Sequence, residues 1–473
     1  MDYTGIKVLV MGLGLHGGGL ESARFLIKRG ASVTVTDLRD EKTLTPSIEQ
    51  LDSSCREMGR EPVRYCLGRH EIDDFKKADI VIKNPGVKPD SIFLKEARRI
   101  ETDISLFLSE SPAKLFAVTG SKGKSCTASA LHRILDKTGN SFLGGNITVS
   151  PLTFLEKLSE NDNVVLELSS WQLGDLKGRK AHDGSPLLNP LSAVITAIMP
   201  DHLDRYASME EYVDDKKNIY RGQDKDGITV AGDDSWGRTF LAETKARPLV
   251  YSRSPLGEKQ NGGWIDNAGC GLARLYDWEN VMEETACLVP ARLRVPGDHQ
   301  KLNLLAAALA VYGTGVDAKK IYSALEDFPG IEHRLELFHE AGGVRFFNDS
   351  AATIPEASAA CIDALSPEGP LVLVTGGTDK NLDFTPFVKK AGNAKAVILL
   401  AGSGSEKLIP LLAENGVEYS GPFDDLEKAV RLSIEKAEKG GSVALSPGCA
   451  SFGMFLNEFD RGRKWKDAVL RIT

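Results

Sequence analysis

The segment Phe116-Ala-Val-Thr-Gly-Ser-Lys-Gly-Lys-Ser125 carries the residue types that handle phosphate: an apolar run emptying into a glycine-rich turn that ends in Gly-Lys-Ser. Glycines at 120 and 123 let successive backbone N–H groups curl around an anion, and a helix starting near Lys124 would aim its positive end at the same place. Lys124 would then reach the terminal phosphates of a nucleotide, and the Ser125 hydroxyl would ligate Mg2+. The spacing Gly-x-x-Gly-Lys-Ser is two residues shorter than the usual P-loop, which points away from ordinary GTPases and ATPases. Apolar residues before the motif and the helical periodicity of Thr127 to Leu135 after it supply the strand–turn–helix context that phosphate binding requires.

Other polar groups gather where apolar runs end. Asn163-Val-Val-Leu-Glu167 places Glu167 at a strand end beside Ser169 and Ser170, and alternation along the strand puts Glu167 and Ser169 on one face. A carboxylate there could hold Mg2+, a hard cation that prefers oxygen. Ala193-Val-Ile-Thr-Ala-Ile-Met-Pro200 delivers Asp201, His202 and Asp204 together. The segment Glu211 to Tyr220 reads as a helix, and spacing alone assigns its Lys216 and Lys217 to the surface. Pro296-Gly-Asp-His-Gln-Lys-Leu-Asn303 leads into an alanine-rich helix, a start that suits either a nucleotide contact or a simple cap.

The elements that must position these groups fall into three α/β blocks. The first opens with the strand Lys7-Val-Leu-Val-Met11, the turn Gly12-Leu-Gly14-Leu-His-Gly17, an amphipathic helix and a second strand ending at Asp37. That is a βαβ unit of the dinucleotide-binding type, with Asp37 where a nicotinamide enzyme places its ribose-binding carboxylate. Taken alone it reads as a dehydrogenase, although the same crevice serves other nucleotides. The second block carries the short P-loop. The third alternates strands and helices again, with loops Asn348 to Pro355, Gly376 to Lys380, Gly402 to Ser405 and Pro447 to Phe452 at strand ends, where open α/β sheets bind ligands. Residues 251–290 look like irregular β structure. Expected boundaries are 1–102, 103–331 and 332–473, with a cleft closing between domains.

Composition fits such a multidomain globular chain: 473 residues, 42% hydrophobic, enough for about three cores. Net charge is 58 minus 66, or -8, without a long basic or acidic block, which gives no support to nucleic-acid or membrane binding. The basic cluster Arg461 to Lys466 is expected to be a solvated helix face. Seven cysteines, odd in number and without paired metal-ligand spacing, fit a reducing compartment, so the cytoplasm is expected; neither an export signal nor a membrane-length apolar run is evident.

In motif order the whole chain resembles the Mur ligases. The resemblance rests on Thr119-Gly-Ser-Lys-Gly-Lys-Ser125, Gly144-Gly-Asn-Ile147, Glu167-Leu-Ser-Ser-Trp-Gln-Leu173, Asp201-His-Leu-Asp-Arg205, His333-Arg334, Asn348-Asp-Ser350, Gly376-Gly377 with Lys380, and Ser446-Pro-Gly-Cys-Ala-Ser451. It implies an N-terminal Rossmann-like domain that holds a UDP-substrate, a central P-loop ATPase-type domain and a C-terminal Rossmann-like domain. The dehydrogenase reading is thereby replaced. The implied reaction is ATP-dependent: a carboxylate on a UDP-sugar, UDP-N-acetylmuramoyl-L-alanine in the glutamate-adding branch, is phosphorylated, and the amino group of D-glutamate attacks the acyl phosphate. This is a step of peptidoglycan precursor synthesis.

The resemblance also assigns roles. Gly120, Ser121, Lys122, Gly123, Lys124, Ser125, Asn303, Arg334 and Asp349 would contact ATP, and Leu15, His16, Asp37, Arg39 and Asn146 the UDP-substrate. Thr353, Lys380 and Ser451 would bind glutamate. Ser125, Glu167, His202 and Lys216 would hold Mg2+, with two ions expected, and Lys124, His202 and Lys216 would be catalytic. Lys216 matches a lysine that the family carbamylates, which would turn a cation into an acid-like metal ligand. Partners are then small molecules, and a monomer is expected.

Departures from the family pattern cluster where the amino acid should bind. Ala351 stands where a lysine is common, Asn84 replaces a serine, Gln300 an asparagine, and Glu458 an aromatic residue. Loss of a cation at 351 leaves Lys380 as the main positive group for an acidic substrate, so a branch adding L-glutamate is the alternative. A non-catalytic nucleotide-binding regulator would have lost phosphate or metal ligands, yet Lys124, Ser125, Glu167, His202 and Lys216 are all present. Folylpolyglutamate synthase, another ligase of the superfamily, lacks a UDP-type first domain, and the Asp37 region argues against it.

Overall fold

The computed structural model describes all residues except 1, 15–16, 148, 203–204, 277–284, 295–297 and 381, together with the side chains of Asp298 and His299. The chain forms three mixed α/β domains, each around its own sheet. In the first, β1 (Lys7–Met11), β2 (Ser32–Asp37), β3 (Arg64–Leu67), β4 (Ile80–Lys83) and β5 (Ile100–Glu101) lie in the order β3-β2-β1-β4-β5. All the pairings in it are parallel. The Val, Ile and Leu side chains of the central strands β1, β2 and β4 are buried on both faces, as parallel strands covered by helices require.

The second sheet has nine strands: β6 (Lys114–Thr119), β7 (Ser141–Gly145), β8 (Asn163–Glu167), β9 (Ser192–Ile195), β10 (Ile228–Gly232), β11 (Arg247–Ser252), β12 (Gly262–Ile265), β13 (Gly271–Arg274) and β14 (Ala286–Val289). Their order is β14-β13-β12-β11-β10-β9-β6-β8-β7. It is parallel from β7 to β12, and only the β12-β13-β14 edge is antiparallel. That edge is the expected irregular region. The phosphate-loop strand β6 sits between β8 and β9, so strand ends carrying Glu167 and Ile195 flank the turn that follows Thr119.

The third sheet holds β15 (Glu336–Ala341), β16 (Val344–Asn348), β17 (Leu371–Gly376), β18 (Ala396–Leu400), β19 (Tyr419–Phe423) and β20 (Ser442–Leu445), in the order β15-β16-β20-β17-β18-β19. One apolar cluster, with Phe347, Leu373 and Leu399, and another, with Phe346, Val374 and Trp465, contain alternate residues of the same strands and so lie on opposite faces of the sheet.

By contact the chain separates into two compact units, residues 1–291 with 301–325, and residues 292–300 with 326–473. The first and second sheets share the larger unit. Lys83, at the end of β4, donates to Asp175 at 2.7 Å, with their side chains 2% and 8% exposed. Arg179 donates to Glu101 at 2.7 Å and to the Ile100 carbonyl, and the Arg205 guanidinium donates to the carbonyls of Pro85, Gly86 and Val87. Burial lowers the Lys83 amine and raises the Asp175 carboxyl, each only partly offset by the charge of its partner.

Two expectations fail here. Lys216 lies on the helix Met209–Arg221 and is 1% exposed, because Tyr212, Val213, Lys216, Ile219 and Tyr220 form one helical stripe facing inward. Lys217, one position round, is half-buried and donates to Glu243 at 2.7 Å. The basic cluster near the end is likewise not a uniformly solvated face. On the helix Glu458–Ile472, Arg461 and Trp465 are fully buried four residues apart, while Arg463 and Lys464 are exposed.

Candidate functional site

The turn after β6 is built as an anion cradle. Gly123 has φ +89°, and a Cβ there would meet Asn303 Oδ1 at 2.4 Å, so the position requires glycine and lets Asn303, on the helix Asp298–Tyr312, lie against the loop. A Cβ at Gly120 would lie 1.9 Å from Thr196 Oγ1. Ser121 Oγ donates to the Met199 carbonyl at 2.9 Å and sits 2.9 Å from the Tyr212 hydroxyl. Lys124 opens the helix Lys124–Thr138, its ammonium 3.1 Å from the Ser121 carbonyl, and Ser125 beside it is half-buried. Lys122 is exposed, 3.8 Å from Asp201.

Lys216 Nζ reaches the same loop, donating to the Gly120 carbonyl at 2.8 Å and lying 4.5 Å above the Tyr212 ring. Burial, followed by the nearby Lys124 charge, pulls its amine down to about 7, which makes a neutral, nucleophilic amine accessible near neutrality. Glu167 is 1% exposed; Oε1 accepts from Asn146 Nδ2 at 3.0 Å, and Oε2 is buried without a hydrogen-bond partner. An orphaned carboxylate oxygen is costly, and one beside a phosphate cradle fits a hard divalent cation. His202, in a left-handed backbone conformation at φ 54°, packs against Trp171 with ring centroids 5.0 Å apart and planes tilted by 55°, and keeps its ring partly exposed. Ser169 lies beyond the end of β8 and caps the helix Ser170–Asp175 with Gln172, so strand alternation does not govern where it points.

In the same unit a cavity of about 590 Å³ runs between the ends of the first and second sheets. It is lined by Asp37, Arg39 and Asn146 among the expected residues, and by His70, Asn84, Asp103, Trp171 and Gln172, to which no role was assigned. The Asp37 carboxylate is held by the backbone N–H groups of Gly14 at 3.2 Å and Arg39 at 3.0 Å. Leu15 and His16 lie outside the described residues. The Gln172 signal was present in its Ser-Ser-Trp-Gln setting, whereas Asp103 looks in sequence like an ordinary first-turn acid.

Arg334, Asp349, Thr353, Lys380 and Ser451 all belong to the smaller unit. Asp349 is buried, accepting from Ser446 Oγ at 2.6 Å and from the Leu335 N–H at 3.0 Å, and desolvation pushes its carboxyl up to about 7. Ser350 and Cys449 are clamped by Arg461, which donates to Ser350 Oγ, the Ser350 carbonyl and the Cys449 carbonyl at 2.9 to 3.1 Å. Lys380 and Arg334 are exposed, Lys380 lying 5.7 Å from the Phe452 ring; Thr353 is half-buried and Ser451 buried.

A short phosphate loop, a carboxylate and a lysine folded onto it, and two further α/β domains define an ATP-handling ligase of the Mur type. The chain matches the Mur ligase middle domain over residues 118–311, the glutamate ligase domain over 333–449 and the MurD-like N-terminal domain over 6–105. It belongs to the Mur ligase family. Among its relatives are the UDP-N-acetylmuramoylalanine--D-glutamate ligases of Treponema pallidum, 40% identical over 98% of this chain and 97% of its own length, and of Borreliella afzelii, 38% identical over 99% and 98%. That of Roseiflexus is 38% identical over the full length of both. The fold is shared with MurC of Thermotoga maritima, at TM-score 0.58 and 19% identity over 99% of this chain and 100% of that one. It is shared too with MurF of the same organism, solved with ADP, at TM-score 0.54 and 18% identity over 99% and 95%.

Proposed function

We propose that this protein joins D-glutamate to UDP-N-acetylmuramoyl-L-alanine at the expense of ATP, forming an amide and releasing ADP and phosphate. The observation that carries the reading is the phosphate cradle on which Lys124 and Lys216 converge, with Glu167 and its unpartnered Oε2 at the end of the neighbouring strand. The similarity of the whole chain to D-glutamate ligases supports the substrates. The domain limits near 102 and 331, a cytoplasmic location and a monomeric state belong to the same proposal.

The UDP portion occupies the cavity lined by Asp37, Arg39 and Asn146. ATP lies along residues 120–125 with Asn303, its phosphates drawn by loop N–H groups, the helix start and Lys124. Ser125, Glu167, His202 and a carbamylated Lys216 would hold Mg2+, and that ion would screen the repulsion between nucleotide phosphates and an incoming carboxylate. Carbamylation needs a neutral amine, which burial of Lys216 provides. A carboxylate oxygen of the bound alanine attacks the γ-phosphorus and ADP leaves. The glutamate nitrogen then attacks the acyl carbon, loses a proton, and phosphate departs from the tetrahedral intermediate. Lys124 stabilises charge on the transferring group. Lys380, Thr353 and Ser451 bind the glutamate carboxylates, and Arg334 and Asp349 contact ATP.

The test is incubation with ATP, Mg2+ and UDP-N-acetylmuramoyl-L-alanine plus D- or L-glutamate in separate reactions, with product mass and phosphate followed. Product with D-glutamate alone supports the reading. Product with L-glutamate alone, or ATP binding without product, overturns it.

A further inference from the structure

Asp103 opens the helix Asp103–Glu110 and is buried, yet it lines the 590 Å³ cavity and also a second, smaller one of about 20 Å³. One carboxyl oxygen, Oδ1, accepts from the Ile104 N–H at 2.9 Å. The other, Oδ2, faces the start of the helix Gly18–Lys28: a Cβ built on Gly18 would lie 3.8 Å from it. That helix start offers its first-turn N–H groups to an anion, and in an open parallel sheet of this kind it is where the diphosphate of a nucleotide lies. A second acid in that place conflicts with a bound diphosphate unless it carries a proton.

Among the described residues, the surroundings keep the carboxyl short of positive partners. The helix Gly18–Lys28 presents Gly18, Gly19 and Ser22 to the cavities, with no charged group among them. Lys83, from β4, is already paired with Asp175 at 2.7 Å, and the Asp175 charge acts on Asp103 unfavourably. Arg179 is bound to Glu101, and Arg205 to the carbonyls of residues 85–87. Asp37 and His70 face the cavity from the ends of the first sheet. Desolvation, the largest influence, pushes the Asp103 carboxyl up to about 6 before any ligand is present, and a diphosphate at the helix start would raise it further.

We propose that Asp103 is a proton-carrying contact of the diphosphate, donating its O–H to a phosphate oxygen, so that binding of the UDP-sugar takes up one proton. The proposal rests on the reading of this cavity as the UDP-sugar site. A neutral acid then acts as a donor that recognises a diphosphate diester, which has no titration of its own near neutrality, and binding weakens as the medium becomes alkaline.

Calorimetric titration of the full chain with UDP-N-acetylmuramoyl-L-alanine, in buffers of differing ionisation enthalpy between pH 6.5 and 8.5, reads the proton count directly. Wild type is expected to take up close to one proton at pH 7.5, and its Kd to rise about tenfold from pH 7 to pH 8. Asp103→Asn is expected to bind with no uptake and a Kd flat across that range. Binding without uptake in wild type, or equal uptake in the variant, overturns the role of Asp103 and leaves the site reading intact. Absence of binding by wild type at every pH overturns both. If Asp103→Asn does not fold, judged by its melting curve, the double variant His16→Gln/His70→Gln decides: uptake that survives supports Asp103, and uptake lost with the histidines overturns it.

Discussion

The larger unit and the smaller one bury opposite charges beneath their ligand loops. Under the phosphate loop lies an amine, Lys216, whose burial pulls it down to about 7; under the strand-end loops of the third sheet lies a carboxyl, Asp349, whose burial pushes it up to about 7. Around Lys216 the loop is fixed from several directions, by Tyr212, Thr196 and Asn303, so these groups are preorganised within one unit. In the smaller unit the buried groups, Asp349, Ser350 and Arg461, tie the loops together, while the cations left to meet a ligand, Lys380 and Arg334, stand exposed. On the proposed reading, one unit would do the phosphoryl chemistry and the other would present donors to the amino acid.

The largest effect should follow from breaking the first arrangement at its centre. Lys124→Ala is expected to lower kcat by on the order of 10³, the scale of losing a charge-stabilising group in a dry site, with little change in the glutamate KM; steady-state kinetics decide. Lys83→Ala removes one partner of the buried pair that links the first and second domains and leaves Asp175 unpaired. It should destabilise the larger unit by ~3–5 kcal/mol in chemical denaturation while leaving the smaller unit's transition in place. In the smaller unit, Lys380→Ala should instead raise the glutamate KM by roughly tenfold or more, the loss of a charge-assisted hydrogen bond, with kcat at saturation nearly kept. A large kcat loss there would erase the contrast between the units.

The pH responses sharpen the same contrast. An unmodified Lys216 binds fewer protons folded than unfolded between pH 7 and its ordinary 10.5, so it adds stability as pH rises through that window and nothing below it. Asp349 binds more protons folded than unfolded between its ordinary 3.8 and about 7, so its contribution is complete below the lower value and is lost as pH rises through the upper. Asp349→Asn should flatten the stability of the smaller unit between pH 4 and 7. Carbon-13 NMR with labelled bicarbonate should show a lysine carbamate that fades, together with activity, from pH 8 to pH 6, and that is absent in Lys216→Ala.

The sequence disclosed the first strands and the phosphate loop because both are local: β1 spans Lys7–Met11 and β2 ends at Asp37, as their apolar runs predict, and the turn declares itself through glycine spacing. Burial of Lys216 and Arg461 escaped notice because composition along a helix hides which stripe faces inward when a charged residue occupies it. The Lys83–Asp175 pair joins residues 92 positions apart, and nothing local marks it. Asp103 was hidden for another reason, since an acid in the first turn of a helix already has a bland explanation.

Oxygen transfer tests the central claim, activation of a carboxylate by ATP on the short phosphate loop, most directly. With UDP-N-acetylmuramoyl-L-alanine labelled with oxygen-18 in its free carboxylate, the account predicts that the phosphate released on adding D-glutamate carries one labelled oxygen, visible as a phosphorus-31 isotope shift. Amide product formed with wholly unlabelled phosphate would contradict an acyl phosphate.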